Sequence, residues 1–180
     1  MKQILFGLLS LIVLAAGIYL YFRPMFSVNG DVIFRPEFNI NLSAAEHAES
    51  GFRAKNPNLP GGADLEIATA NRILEVHLVH EELWKAVDAK TLSGLLQNKI
   101  SFALSNPEFM SAAEKFYGLS ASGIKEYVII PRAEEDILNS QLMLKGGFFG
   151  DWLAEAKREA KVKIYFGDFK WNGSSLEKKS

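Results

Sequence analysis

Two histidines spaced three residues apart are the side chains best suited to metal or acid–base chemistry. His77 and His80 are followed directly by Glu81 and Glu82. This spacing puts both imidazoles on one face of a helix, where they can ligate zinc. The string lacks the His-Glu-x-x-His order of metalloproteases, and His47 belongs to a different predicted helix. We predict no metal site and interpret the pair as structural, with a pH-responsive His80 as the functional alternative.

The rest of the sequence contains no pattern typical of a catalytic site. There is no cysteine, which excludes thiol nucleophiles and disulfides, and no Gly-x-Ser-x-Gly string marks a nucleophilic serine. The adjacent carboxylates Glu134, Glu135 and Asp136 are typical of a solvated helix face, because acid–base catalysis needs carboxylates set apart in a cleft. No phosphate-binding glycine loop is present. We therefore predict a protein that is not an enzyme and needs no cofactor.

The charge balance excludes one class of partner. Lys and Arg number 20 against 21 Asp and Glu, a net charge of −1, whereas nucleic-acid binding needs an excess of positive charge on one face. We predict no nucleic-acid partner. A basic cluster near the C-terminus consists of Lys157, Arg158, Lys161 and Lys163. Contact with anionic lipid is one interpretation, but favourable charge at a helix C-terminus explains the first two, and we prefer it.

Aromatic and methionine side chains are the best candidates for a binding surface. Apolar residues make up 48% of the chain and aromatic residues 12%, so a packed core is expected and most aromatics belong to it. Flexible methionines and exposed aromatics near helix breaks suit a groove that accepts many sequences. The residues assigned to such a polypeptide-binding groove are Trp84, Phe109, Met110, Tyr127, Met143, Phe148, Phe149 and Trp152.

The N-terminal segment has the composition of a membrane anchor. Residues 4–22 carry no charge, and a helix of that length extends roughly 28 Å, close to the hydrocarbon thickness of a bilayer. Cleavage after Ala16 leaves Leu14 at the −3 position, which suits a signal peptidase poorly, so an uncleaved anchor is preferred to a removed signal. We predict a single-pass anchor over residues 1–23 in the inner membrane, with the remaining chain on the periplasmic side.

A hairpin, a series of helices and a last strand follow the anchor. Asn29-Gly30 between β-forming residues predicts a tight turn. Alternation of apolar and polar residues over 161–166 predicts a half-buried strand. The predicted helices begin at Pro36, Asp64, Leu92, Asn106-Pro107, Ser120 (bent or interrupted at Pro131) and about Phe149. The helix from Asn106-Pro107 is predicted to end at Tyr117-Gly118.

The hairpin and the last strand are predicted to pair, because a two-stranded hairpin is marginal alone and a third strand stabilises it. The predicted fold is therefore mainly α: an N-terminal transmembrane helix followed by a helical domain closed by a small β-sheet of the N-terminal hairpin and the C-terminal strand. The domain covers residues 24–171, and residues 172–180 are predicted to be a frayed polar tail.

Three short motifs in this order resemble the SurA N-terminal-domain-like family of periplasmic chaperones. The matching residues are Val28-Asn29-Gly30, Ile33 and Glu37-Phe38; then Leu74, Leu78, Val79, Glu81 and Leu83; then Trp152-Leu153 and Ala160 to Tyr165. The resemblance spans about residues 26–166. Members of the family usually carry a parvulin-type prolyl isomerase domain before the final strand, but here Leu142 and Trp152 are ten residues apart. The resemblance thus implies the chaperone part without the isomerase.

We hypothesise a membrane-anchored, extracytoplasmic, ATP-independent chaperone-like module. It would bind unfolded or newly translocated polypeptides in an apolar groove between helices, and contact the membrane through residues 4–22. Two alternatives remain open. One is a membrane-tethered adaptor that docks a single folded partner, and the other is a prolyl isomerase relative with residual activity.

Overall fold

The chain is mainly helical and carries two small antiparallel sheets. The computed structural model describes Gly17, residues 21–56 and residues 64–179. Its helices are α1 (Arg35–Lys55), α2 (Leu65–Ala86), α3 (Ala89–Leu104), α4 (Pro107–Tyr117), α5 (Ala121–Ile124), α6 (Ile130–Leu144) and α7 (Phe149–Glu159). Its strands are β1 (Pro24–Val28), β2 (Asp31–Phe34), β3 (Val162–Ile164), β4 (Phe169–Trp171) and β5 (Leu176–Lys178).

The transmembrane part of the predicted fold is wrong for the residues that the structure describes. None of their helices combines the length and the apolar character needed to cross a bilayer. The segment assigned to the membrane, residues 4–22, lies outside the described residues apart from Gly17, Tyr21 and Phe22. The fold class is therefore corrected to a mainly helical chain with a small sheet.

The predicted pairing of the N-terminal hairpin with the strand near residue 164 is confirmed, although two further strands follow it in the chain. β1 lies between β2 and β3 and is antiparallel to both, with Phe26 opposite Ile164. Asn29 and Gly30 have φ angles of 53° and 97°, as the primed turn of a two-residue hairpin requires. Residues far apart in the sequence therefore meet in one sheet.

Residues 172–180, which were predicted to be a frayed polar tail, instead contain β5, which pairs with β4 in a second hairpin. Leu176 is almost fully buried in the core beside the first sheet. The Asn71 side chain of α2 makes two hydrogen bonds to the main chain of Leu176, at 2.8 and 2.9 Å. These contacts attach the last strand to α2.

Three buried clusters form the core. The first joins the sheets to α1 and α2 and contains Phe26, Ile33, Phe38 and Leu74. The second lies between α2, α3 and α6. The third lies between α3, α4, α5 and residues 125–129, which connect α5 to α6.

Local capping sets the ends of the central helices as the sequence predicts. Asp64 accepts main-chain N–H bonds at the start of α2. Asn106 does the same at the start of α4, where Pro107 fits the first turn. Gly118 ends α4 with a φ of 66°, the left-handed conformation typical of that position.

The predicted bend or interruption at Pro131 takes the form of a single π-helical turn. The chain passes from α5 into α6 through Lys125–Ile129, and the N–H of Ile130 bonds to the carbonyl of Lys125 five residues earlier. Proline has no N–H, and its ring crowds the carbonyl four residues before it, here that of Tyr127. The wider turn accommodates the ring and lets the helix continue.

Candidate functional site

The π-helical turn Lys125–Ile129 forms a common wall of four cavities. Tyr127 lines cavities of about 400 and 600 Å³. Val128 lines the second of these and two others of about 510 and 700 Å³. Single π turns within α-helices are often found at functional sites, and concave regions of this size are the default candidates for binding. This row of cavities is therefore the candidate site.

The cavities of about 510 and 700 Å³ share Phe109 and Val128, and we call them together the phenylalanine groove. Phe52 and Phe116 also line the larger cavity, and Phe102 lines the smaller one. The exposed fractions of the four phenylalanines are 51% for Phe52, 83% for Phe102, 43% for Phe109 and 46% for Phe116. Grouped exposed apolar side chains of this kind mark an interaction surface.

Helix α4 contributes to the groove because its two faces have different surroundings. Phe109 and Phe116 are seven residues apart and therefore lie on one face, and Ala112 between them lines the same cavity. Ala113 lies at the edge of this face, where it lines the same cavity and is buried in the third core cluster, and Met110 packs against that cluster. The side of α4 that carries Met110 thus anchors the helix, while Phe109 and Phe116 remain exposed.

A histidine fixes α1 against α4 beside the groove. His47 Nε2 lies 3.1 Å from the carbonyl oxygen of Lys115. Its ring packs over Gly118, where an added Cβ would lie 2.9 Å from His47 Cγ. Because only glycine allows this approach, the contact sets the distance between Phe52 on α1 and Phe116 on α4, which line the same cavity.

The larger cavity of the groove has cationic edges. Lys55 and Lys115 line it, and among the described residues none of the lining side chains is a carboxylate. In the smaller cavity, Asp136 forms ion pairs with Lys99 at 3.5 Å and Arg132 at 3.4 Å. Of the two cavities of the groove, the larger one therefore has lysines that no lining carboxylate compensates.

The cavity of about 400 Å³ contains His77, and we call it the histidine cleft. His77 Nδ1 lies 2.5 Å from Asp31 Oδ2 on β2, and Nε2 lies 3.0 Å from Glu37 Oε1 on α1. Burial lowers the pKa of His77, but hydrogen bonds and charge attraction from Glu37 and Asp31 outweigh it and raise the pKa above 6.5. His77 thus connects three elements of the fold.

His80 contacts a buried carboxylate in the same cleft. Its Nδ1 lies 2.8 Å from Glu134 Oε1 on α6. Glu134 is only 3% exposed, so its prediction as part of a solvated face is wrong. The hydrogen bond to Glu134 raises the pKa of His80 above 6.5 despite partial burial. The Trp84 ring lies 5.7 Å from the His80 ring.

The structure does not bring the eight residues predicted to bind polypeptide onto one surface. Phe109 lines the groove and Tyr127 lines the adjoining cavities, while Met110 packs against the third core cluster. Met143 and Phe148 are exposed where α6 leads into α7. The remaining three are Trp84 beside His80, and Phe149 and Trp152, which pack against the second core cluster.

Three groove residues were missed by the sequence analysis. Phe116 had a usable signal, its spacing of seven from Phe109 on an amphipathic helix. Phe52 and Phe102 had no such signal, because their position in the groove depends on how α1 and α3 pack against α4. Within the described residues, no three His, Asp or Glu side chains are arranged to hold a metal ion.

The chain matches no protein-family model, no curated protein and no solved structure. The resemblance to the SurA N-terminal-domain-like family therefore stays a prediction, and the function rests on the site itself.

Proposed function

We propose that this protein binds unfolded polypeptide segments in the phenylalanine groove and holds them without nucleotide hydrolysis. The observation that carries the proposal is the group of four exposed phenylalanines that line two adjoining cavities. Cavities of about 510 and 700 Å³ fall within the ~300–1,000 Å³ range of ligand pockets. Each can take a large apolar side chain of a bound segment.

Burial of apolar surface drives the proposed binding. It contributes about 25 cal/mol per Å², and ordering of the flexible segment offsets part of that gain. Half of the residues that line the larger cavity are phenylalanine, alanine or valine, and their side chains make no hydrogen bonds that could select a particular sequence. We therefore expect moderate affinity and broad sequence tolerance.

Charge selects among apolar segments. Lys55 and Lys115 edge the larger cavity, where no lining carboxylate neutralises them within the described residues. An apolar segment flanked by aspartate or glutamate gains attraction there, whereas one flanked by lysine is repelled. The proposed occupant is thus an extended, apolar segment with acidic flanks.

A fluorescent probe in the groove tests the proposal directly. Because the chain has no cysteine, Ala112→Cys gives one labelling site in the larger cavity, and Ala154→Cys on α7 gives a control site away from the groove. The probes are three peptides of equal length: Phe/Leu-rich with aspartate flanks, Phe/Leu-rich with lysine flanks, and Ser/Gly-rich with aspartate flanks. We expect saturable binding at position 112 in that order of decreasing affinity.

Matched variants separate the groove from other apolar parts of the full chain. Phe109→Ser/Phe116→Ser should weaken binding about tenfold or more, equivalent to ~1.4 kcal/mol, while Phe148→Ser, at an exposed site outside the groove, should not. The same pattern is expected when the full chain suppresses light scattering by citrate synthase diluted from guanidinium. Equal losses in both variants, or binding of folded proteins but not of the peptides, would contradict the proposal. Binding of folded proteins but not of the peptides would favour the alternative function, an adaptor that docks a single folded partner.

A further inference from the structure

The two contacts of His77 require a doubly protonated ring. Asp31 and Glu37 are hydrogen-bond acceptors when ionised, and they lie against the two different nitrogens of the same imidazole. A neutral imidazole has one N–H and one lone pair. Loss of one proton from His77 therefore replaces one of the two hydrogen bonds with repulsion between a lone pair and a carboxylate.

Glu134 forms an ion pair with His80, whose Nδ1 lies 2.8 Å from Glu134 Oε1. The Glu134 side chain is 4% exposed, whereas that of His80 is 51% exposed. A buried carboxylate is costly unless it is paired with a cation and hydrogen-bonded. A neutral His80 can keep the N–H bond but no longer compensates the charge. Because the His80 ring is half-exposed, its proton can exchange directly with solvent water.

Charged groups face the two histidines from every neighbouring element. β2 contributes Asp31, α1 contributes Glu37, and α6 contributes Glu134. The π-helical turn contributes Glu126 and Tyr127 to the same cleft.

On α2 itself, Arg72 is bound to Glu135 at 2.9 Å and lies near Glu75 at 3.8 Å, and Glu81 is bound to Lys85. The cleft is thus rich in carboxylates, and the protons on His77 and His80 supply much of its positive charge.

We propose that His77 and His80 are a proton-operated clamp on the histidine cleft. When both are protonated, they hold the β1–β2 hairpin, α1 and α6 against α2. When they lose their protons, one His77 contact breaks and Glu134 is left buried without its counter-charge, so that the elements around the cleft separate more readily. The cleft shares Tyr127 with the next cavity of the row, so its opening reaches the wall of the candidate site.

The direction of the pH effect follows from the raised pKa values of both histidines. A group whose pKa is higher in the folded than in the unfolded state stabilises the fold fully below its unfolded pKa, about 6.5 for histidine. That stabilisation is lost as pH rises through the folded-state pKa. The clamp is therefore closed in mildly acidic solution and weakens above about pH 6.5.

The test measures the pKa values of the two histidines and the unfolding free energy of the full chain from pH 5 to 9. NMR titration should show His77 and His80 with pKa values above 6.5. The unfolding equilibrium constant should rise with pH above 6.5, tenfold for each unit by which a folded-state pKa exceeds the unfolded one. Hydrogen exchange at residues 29–37 and 130–138 should be faster in His77→Gln/His80→Gln than in the unsubstituted chain at pH 6.

Three variants distinguish the clamp from a general pH effect. His77→Gln/His80→Gln should remove the pH dependence of the unfolding free energy above pH 6.5, and His47→Gln should retain it. Glu134→Gln should remove only the part of this dependence that comes from His80. A flat stability profile in the unsubstituted chain, or titration of both histidines at or below pH 6.5, would overturn the proposal. The NMR titration and the stability profile of the unsubstituted chain need no variant, so the proposal stays testable even if a variant fails to fold. None of these readouts depends on polypeptide binding.

Discussion

The main-chain N–H of Asn29 donates to the carbonyl oxygen of Lys161 at 3.0 Å, and the side-chain oxygen of Asn29 accepts from the N–H of Lys161 at 2.9 Å. The Asn29 amide also donates to Glu81 on α2 at 2.6 Å. One residue in a tight turn thus joins the hairpin to the last strand of the first sheet and to the central helix.

Removal of the Asn29 side chain should destabilise the fold in two separable ways. Asn29→Gly keeps the positive φ accessible and the main-chain bond to Lys161 but loses the two side-chain bonds, one to Lys161 and one to Glu81. It should cost ~1–2 kcal/mol of unfolding free energy. Asn29→Ala adds the strain of positive φ and should cost about 1 kcal/mol more. Urea unfolding measures both. Equal stability of the two variants would show that the backbone conformation contributes nothing.

Two glycine substitutions should change stability in opposite directions. Gly118→Ala forces a side chain into a φ of 66° and against the His47 ring, and should destabilise the fold by ~1–3 kcal/mol. Gly51→Ala, at an exposed position in α1 with no atom within 4 Å of the added Cβ, should stabilise it by about 0.5–1 kcal/mol. Thermal unfolding in one buffer compares them. Adding His47→Ala to Gly118→Ala should recover part of the loss, and failure to do so would place the strain in the backbone alone.

The basic cluster near the C-terminus should show a division between adjacent residues. Lys157 Nζ lies 2.6 Å from Glu75 Oε1, with both side chains less than one-quarter exposed, so Lys157→Ala should cost ~1–2 kcal/mol. Arg158 pairs with Glu155 on the surface, and Arg158→Ala should change stability by less than ~0.5 kcal/mol. Denaturant unfolding at low and high salt is the measurement. Similar losses from both variants would refute the structural role assigned to Lys157.

Phe102 should contribute to binding and not to stability. Its side chain is the most exposed of the four groove phenylalanines, so Phe102→Ser should leave the unfolding free energy within ~0.5 kcal/mol. By contrast, Phe26→Ala removes a fully buried ring and should cost ~3–5 kcal/mol. Affinity for the acid-flanked apolar peptide should fall in Phe102→Ser. A folded variant with unchanged affinity would exclude the smaller cavity from the binding surface.

Local sequence signals predicted the features that depend on neighbouring residues. The Asn29-Gly30 turn, the Asp64 cap and the Gly118 helix end all follow from backbone requirements that a few residues meet by themselves. The pairing of the hairpin with the strand near residue 164 could also be predicted, because alternating apolar residues need a partner.

The features that were missed depend on residues far apart in the sequence. Leu176 stands alone as an apolar residue in a polar segment, and its burial follows from hydrogen bonds to Asn71 on α2. Glu134 belongs to a run of carboxylates, and only the packing of α6 against α2 brings His80 to it. Periodicity within one segment does not carry this information.

The position of β1 between β2 and β3 has a consequence for biosynthesis. A ribosome must polymerise the chain to Ile164 before Phe26 can acquire its partner on that side. Until then, the edge of β1 that β3 covers is unpaired, and an unpaired strand edge is a known starting point for misassembly. Closure of the sheet on this side therefore has to wait until all of α1 to α7 has been synthesised, because β3 follows them in the chain.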